Sequence, residues 1–222
     1  MCEEDGDLPR LLWDHPGTTE HRVTFQRALG DLDNIGRVCL ASLLQVCKPL
    51  QQYTVRKLLD ARAPEGDPSQ PCGSSVWRVF MYDNDASVDV QSLRPHQYNY
   101  HADMGLLTVA PPSTWPSLFL HHPATGCVLQ PERNLRPDEF IVFAGETLSF
   151  LSQGLLPAVL HGVPPVNAPG PKRCSCPFFQ RVSVHAQLRD VDGATITGKA
   201  YTEKHAASLR PWRRRNQFGT DY

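Results

Sequence analysis

His101-Ala102-Asp103 sets an imidazole and a carboxylate two residues apart within the run 98–109. On an extended strand, residues i and i+2 point to the same face, so the two groups can take adjacent corners of one divalent metal. Two protein ligands hold a catalytic metal poorly, and a third must come from elsewhere. His161 lies 60 residues on (161 − 101 = 60), inside the apolar strand-like run Ala158-Val159-Leu160-His161-Gly162-Val163. Two histidines and one carboxylate on one face of a metal leave three positions open for a cosubstrate and O2, the geometry that oxygen activation needs. Twelve residues after His161 (173 − 161 = 12) comes Arg173-Cys174-Ser175, a second i, i+2 pair. Arginine offers a planar fork matched to a carboxylate, and serine adds a donor, which suits the distal carboxylate of a dicarboxylic cosubstrate.

Each feature alone has a plainer reading. With nine histidines in the chain an H-x-D arises by chance. A single histidine on an apolar strand is more often a satisfied core residue than a ligand, and R-x-S is a common surface pair. Their joint occurrence carries the argument. His121-His122 is not a second site, because adjacent residues on a strand face opposite ways. Trp115, Met104, Leu106 and Phe179 are candidates for a pocket wall, though such residues are more often plain core.

These groups need a rigid scaffold. Over 23–59 apolar residues recur every three to four positions, which predicts two or three helices broken near Lys48-Pro49. They carry no visible chemistry and are expected to pack on a sheet. The stretch 61–75 concentrates Pro, Gly, Ser and Asp and reads as a linking loop. Short strand-like runs follow at 76–82, 97–111, 117–121, 140–144, 158–163 and 178–188, separated by turn signals such as 136–139, 167–170 and 190–193. Short strands between Pro and Gly predict a mainly β fold with N-terminal helices, an antiparallel barrel or a double-sheet jelly roll.

The chain of 222 residues fits one domain with a full core. Its 22 Lys and Arg against 23 Asp and Glu give a net charge of −1, which argues against coating nucleic acid or anionic membrane. Arg213-Arg214-Arg215 is a solvated basic run. The acidic start carries no secretory leader and no window is long enough to span a membrane, so a soluble, cytoplasmic protein is expected. Seven scattered cysteines lack the C-x-x-C spacing of a zinc or redox motif.

In order along the chain stand Trp77-Arg78-Val79-Phe80-Met81-Tyr82, then His101-Ala102-Asp103-Met104-Gly105-Leu106-Leu107-Thr108, then Gly145-Glu146-Thr147-Leu148, then Val159-Leu160-His161-Gly162-Val163, and last Arg173-Cys174-Ser175-Cys176-Pro177-Phe178-Phe179. This series resembles the isopenicillin-N-synthase-like family of Fe(II)/2-oxoglutarate dioxygenases, with its H-x-D-x-G-x-L-T, G-[DE]-x-L, H-R-V and R-x-S-x-x-x-F motifs. The resemblance covers about half the chain. It implies a double-stranded β-helix (jelly roll) over 76–205, a helical segment and linker at 1–75, and a basic tail at 206–222. It further implies iron held by His101, Asp103 and His161, and 2-oxoglutarate held by Arg173, Ser175 and Tyr82. The expected reaction is oxidation, as by hydroxylation, of a small molecule or a side chain with O2, releasing succinate and CO2. Departures stand at Phe80, where the family has Asn, and at Gly162, where it has Arg. An iron oxidase that dispenses with 2-oxoglutarate and a non-catalytic binding module on the same fold remain as alternatives. Substrate identity and oligomeric state are not encoded in these motifs.

Overall fold

The computed structural model describes residues 19–61, 73–82, 100–122, 125–164, 172–189 and 193–205. The expected basic tail at 206–222, the turn at 167–170 and most of the linking loop lie outside the described residues.

Thr19–Val46 forms one helix of 28 residues, α1. Leu32, Gly36, Leu40 and Leu44 recur every fourth residue and are buried, which gives α1 one core-facing stripe. Leu32 clusters with Val109 and Phe178, while Leu40 and Leu44 join Leu106 and Leu107, so α1 does pack on the sheet. A Cβ on Gly36 would lie 2.7 Å from Gln180 Nε2, and the missing side chain is what lets the sheet approach here. The helix ends where expected, because Pro49 disfavours helical geometry at Lys48. The chain turns through a 3-10 helix, Lys48–Gln52, into α2, Val55–Leu58, where the Thr54 hydroxyl caps the Lys57 amide at 3.3 Å.

Eleven strands follow among the described residues: β1 (Val76–Trp77), β2 (Phe80–Tyr82), β3 (Leu107–Ala110), β4 (Phe119–His121), β5 (Val128–Leu129), β6 (Ile141–Ala144), β7 (Leu160–Gly162), β8 (Arg173–Ser175), β9 (Phe178–Gln180), β10 (Gln187–Arg189) and β11 (Thr195–Thr197). They form sheets of order β1-β9-β3-β6, β5-β4-β7, β2-β8 and β10-β11, with every pairing antiparallel. This is the expected antiparallel jelly roll. Among the described residues no helix is long and apolar enough to cross a membrane.

The register of the four-stranded sheet fixes its two faces. Val76 pairs with Phe179, Phe179 with Thr108, and Thr108 with Phe143, so these four side chains share one face. Trp77, Phe178, Val109 and Val142 form the neighbouring row, on the opposite face, where they pack with Leu32 of α1. The first face is the one turned to the candidate site.

One local expectation fails and one element was not foreseen. The run around His101 is not one long strand: β3 begins only at Leu107, and 102–106 is bent chain. The Gly145-Glu146-Thr147-Leu148 motif opens a short helix, α3 (Glu146–Leu151). The two are linked. Amides at the start of α3, which lack partners within the helix, donate to the bent segment: Gly145 to the Leu106 carbonyl at 3.0 Å, Glu146 to that of Asp103 at 2.7 Å and Thr147 to that of Gly105 at 3.1 Å. The contact leaves no room for side chains, since a Cβ on Gly145 would meet the Gly105 carbonyl oxygen at 2.3 Å and one on Gly105 the Gln180 carbonyl oxygen at 2.6 Å. Leu106, a candidate pocket residue, is wholly buried in the core with Leu40 and Leu148.

Candidate metal centre

His101 and His161 meet across an isolated antiparallel bridge in which each backbone amide donates to the other's carbonyl at 2.9 Å. The imidazole rings lie 4.4 Å apart, centroid to centroid. Asp103 comes to them from the bent segment, with His101 Nε2 at 3.8 Å from its Oδ1 and His161 Nε2 at 3.6 Å from its Oδ2. The convergence of the first pair therefore owes more to the cross-strand bridge and the turn on α3 than to strand alternation. The three ligand atoms lie within 4.8 Å of one another, the one such His, Cys, Asp and Glu grouping among the described residues.

Their surroundings fit a metal. His161 Nδ1 is 3.0 Å from the Val159 carbonyl oxygen, an acceptor that keeps the proton on Nδ1 and turns the Nε2 lone pair to the centre. Burial holds the His161 imidazole below its ordinary pKa, Asp103 opposing and His101 reinforcing, which favours the neutral ring that a metal needs. The Thr108 hydroxyl donates to Asp103 Oδ2 at 2.6 Å and fixes the carboxylate from the inner face of β3. Phe143 packs its ring 4.8 Å from that of His161. Asp103 and His161 are buried while the His101 side chain is about half exposed, at 49%, so the centre opens on the His101 side.

Arg173 and Ser175 lie on β8, paired with Tyr82 and Phe80 of β2. Arg173 is only 2% exposed. Its guanidinium stands 4.8 Å over the Tyr82 ring, its Nε donates to the Trp115 carbonyl at 3.1 Å, and its Nη2 to Glu132 at 3.1 and 3.3 Å. Among the described residues Nη1 is buried with no partner, a donor left for an arriving acceptor. Glu132 was not anticipated. It sits in a 3-10 helix, Pro131–Asn134, and also accepts the amides of Ser117 and Leu118 at 2.7 Å each. No local pattern marks it, since its partners lie 14 to 41 residues away. His121 and His122 join no metal group: His121 packs near Tyr100, and His122 Nδ1 lies 3.0 Å from the Thr125 hydroxyl.

Fold and site together define a jelly-roll protein with a 2-His-1-carboxylate centre suited to non-haem iron. Residues 75–182, close to half of the chain, match the family model of the 2OG-Fe(II) oxygenase superfamily. Over those residues the chain is similar to that superfamily. A 2-oxoglutarate-dependent dioxygenase of Gibberella zeae is 34% identical over 115 residues, which are 51% of this chain and 34% of that protein. A 2OG-Fe(II) oxygenase family protein of Caulobacter crescentus superposes with a TM-score of 0.58 at 19% identity, over 87% of this chain and 60% of that one. A full-length Neurospora crassa protein, solved in complex with alpha-KG and thymine, superposes with a TM-score of 0.57 at 17% identity, over 88% of this chain and 62% of that one. These two likenesses concern the fold. The chain spans about a third of the length of the curated relative it matches.

Proposed function

We propose that this chain is an Fe(II)- and 2-oxoglutarate-dependent dioxygenase acting on a small organic substrate. The observation that carries the reading is the convergence of His101 with the buried Asp103 and His161, with the Nη1 of Arg173 unpartnered among the described residues of the same fold. His101, Asp103 and His161 would hold ferrous iron. Arg173 Nη1, the Ser175 hydroxyl and Tyr82 would receive the distal carboxylate of 2-oxoglutarate. The pair, when bound, supplies O2 activation coupled to oxidative decarboxylation to succinate and CO2, with oxidation of a substrate C–H bond. The chain's own part is positional. Thr108 and the Val159 carbonyl hold two ligands in orientation, Glu132 and the Trp115 carbonyl aim Arg173, and Phe143 and Phe179 provide apolar walls. Residues 76–205 would form this catalytic domain, with 1–75 packing a helix on its sheet. The cysteines described are free thiols, in keeping with a reducing compartment such as the cytoplasm.

The Glu132 carboxylate on Arg173 favours one second reading, an iron oxidase that does not use 2-oxoglutarate, because it offsets part of the charge that would attract the cosubstrate. One anaerobic titration separates the two. Metal-free protein takes Fe(II) and then 2-oxoglutarate while visible absorbance is followed. The expected result is a weak charge-transfer band that is lost in His161→Ala and needs at least tenfold more cosubstrate in Arg173→Ala. Iron binding with no band supports the oxidase, and no iron binding sinks both.

A further inference from the structure

Arg181 follows β9 directly. Strand alternation from Phe179 puts it on the face shared by Val76, Thr108 and Phe143, the face turned to the metal ligands, whereas Phe178 and Gln180 face α1. Its backbone is held from both sides: its amide donates to the Ser75 hydroxyl at 3.2 Å, and the preceding Gln180 carbonyl accepts from Leu106 at 2.8 Å. The ladder between β1 and β9 continues through the Arg78 amide to the Pro177 carbonyl at 3.2 Å, so alternation from Val76 sets Arg78 on that face too.

Neither guanidinium makes a hydrogen bond or ion pair with the described residues. Arginine keeps its proton under all ordinary conditions, so Arg181 presents a half-buried, permanent charge with no ion pair among the described residues. Burial pulls the Arg181 guanidinium below its ordinary pKa, the like charge of Arg78 adds to this, and Asp103 acts the other way, which puts Arg181 within electrostatic reach of both the second arginine and the metal centre. The same face carries aromatic surface, with Phe179 edge-on to Phe80 at 6.5 Å.

We infer that Arg181, supported by Arg78, forms an anion subsite beside the metal centre that takes the carboxylate or phosphate of a small primary substrate with an apolar body. This names the substrate class of the proposed oxygenase and rests on that reading. A guanidinium pairs with either anion through two parallel hydrogen bonds, and the aromatic face receives the remainder of the molecule. The subsite is separate from Arg173, whose side chain is sealed and already carries a carboxylate.

Calorimetry on the full chain tests it, run anaerobically with Fe(II) and 2-oxoglutarate present and again without them. The probes are phenylacetate against phenylacetamide and phenyl phosphate against phenol. At least one acid should bind tenfold or more tighter than its neutral counterpart, and which acid does so tells carboxylate from phosphate. Arg181→Gln should abolish that preference and Arg78→Gln reduce it several-fold, with the cosubstrate band unchanged in both. Arg181→Lys should restore part of the preference, which a merely misfolded variant would not. A wild type that binds no acid better than its neutral partner overturns the subsite, as does a preference that survives Arg181→Gln or is lost instead in Arg173→Gln. A preference without a cosubstrate band leaves the subsite standing and removes the oxygenase. A band without a preference does the reverse.

Discussion

Arg173 opens β8 and Arg181 follows β9, eight residues apart (181 − 173 = 8), yet the fold treats their charges in opposite ways. Around Arg173 every neighbour answers the guanidinium: a carboxylate from Pro131–Asn134, a carbonyl from Trp115 and an aromatic face from β2. A single nitrogen is left over. Around Arg181 the backbone is pinned just as firmly, but no described group meets the charge. A guanidinium held by a buried carboxylate has little net attraction for an anion and selects by the geometry of its last donor. One without a counterion attracts by charge and tolerates varied shapes. The first suits a fixed cosubstrate, the second the variable substrate of a fold whose specificity lies in its walls.

Stability is where the two regions should part most widely. Glu132→Ala strands the Arg173 charge in the interior and leaves the Ser117 and Leu118 amides without their acceptor. Breaking one side of a buried ion pair costs about 3–5 kcal/mol, to be read from the midpoint of chemical denaturation. Replacing both partners with apolar residues of similar volume should cost less than Glu132→Ala alone. Arg181→Gln removes a charge that stabilises nothing described and should change stability by no more than about 0.5 kcal/mol. If the two single substitutions cost the same, Arg181 has a counterion in solution and the contrast fails.

On the inner face of β3, opposite Phe179, lies Thr108. Thr108→Val keeps the shape and removes the hydroxyl that holds Asp103 Oδ2. Loss of such an outer partner weakens metal affinity by about 10-fold or somewhat more, which a competitive titration with a chelator would measure. The preference for acids over neutral probes at Arg181 should not change. Unaltered metal affinity would mean that the α3 amides alone hold Asp103 in place.

What could be read from the chain follows the range over which each interaction acts. The helical period over 23–59 is local and was legible, as was the break at Lys48-Pro49; which apolar residues face the sheet was not, since Val38 and Val46 keep the spacing yet stay exposed while Leu40 and Leu44 are buried. The residue types at 101, 103, 161, 173 and 175 were legible because their motifs occur in order. The geometry that joins His101 to Asp103 was not: alternation along a strand predicts the right pair for an incomplete reason, since 102–106 is bent and the bridge to His161 with the amides of α3 does the positioning. Thr108 stood in the quoted motif, and its bond to Asp103 becomes visible only when β3 has a register. Glu132 had no signal at all, because a charge whose partners come from distant segments of the chain leaves no trace in its neighbours. The face of Arg181 likewise depends on the pairing of β9 with β3.

Tyr82 offers the smallest expected effect and a fine test of the sealed end. Its ring lies under the Arg173 guanidinium, and its hydroxyl is the group expected to reach the cosubstrate. The two roles separate by substitution. Tyr82→Leu removes the ring face and should lower stability by about 0.5–2 kcal/mol, the range of a cation–π contact. Tyr82→Phe retains that face, so stability should hold while the 2-oxoglutarate concentration needed for half of the charge-transfer band rises several-fold. Should Tyr82→Phe leave that concentration unchanged, the hydroxyl does not touch the cosubstrate. Tyr82 would then belong with Glu132 and Trp115 as a residue that aims Arg173, and the last open donor at this end would be Nη1 with the Ser175 hydroxyl alone.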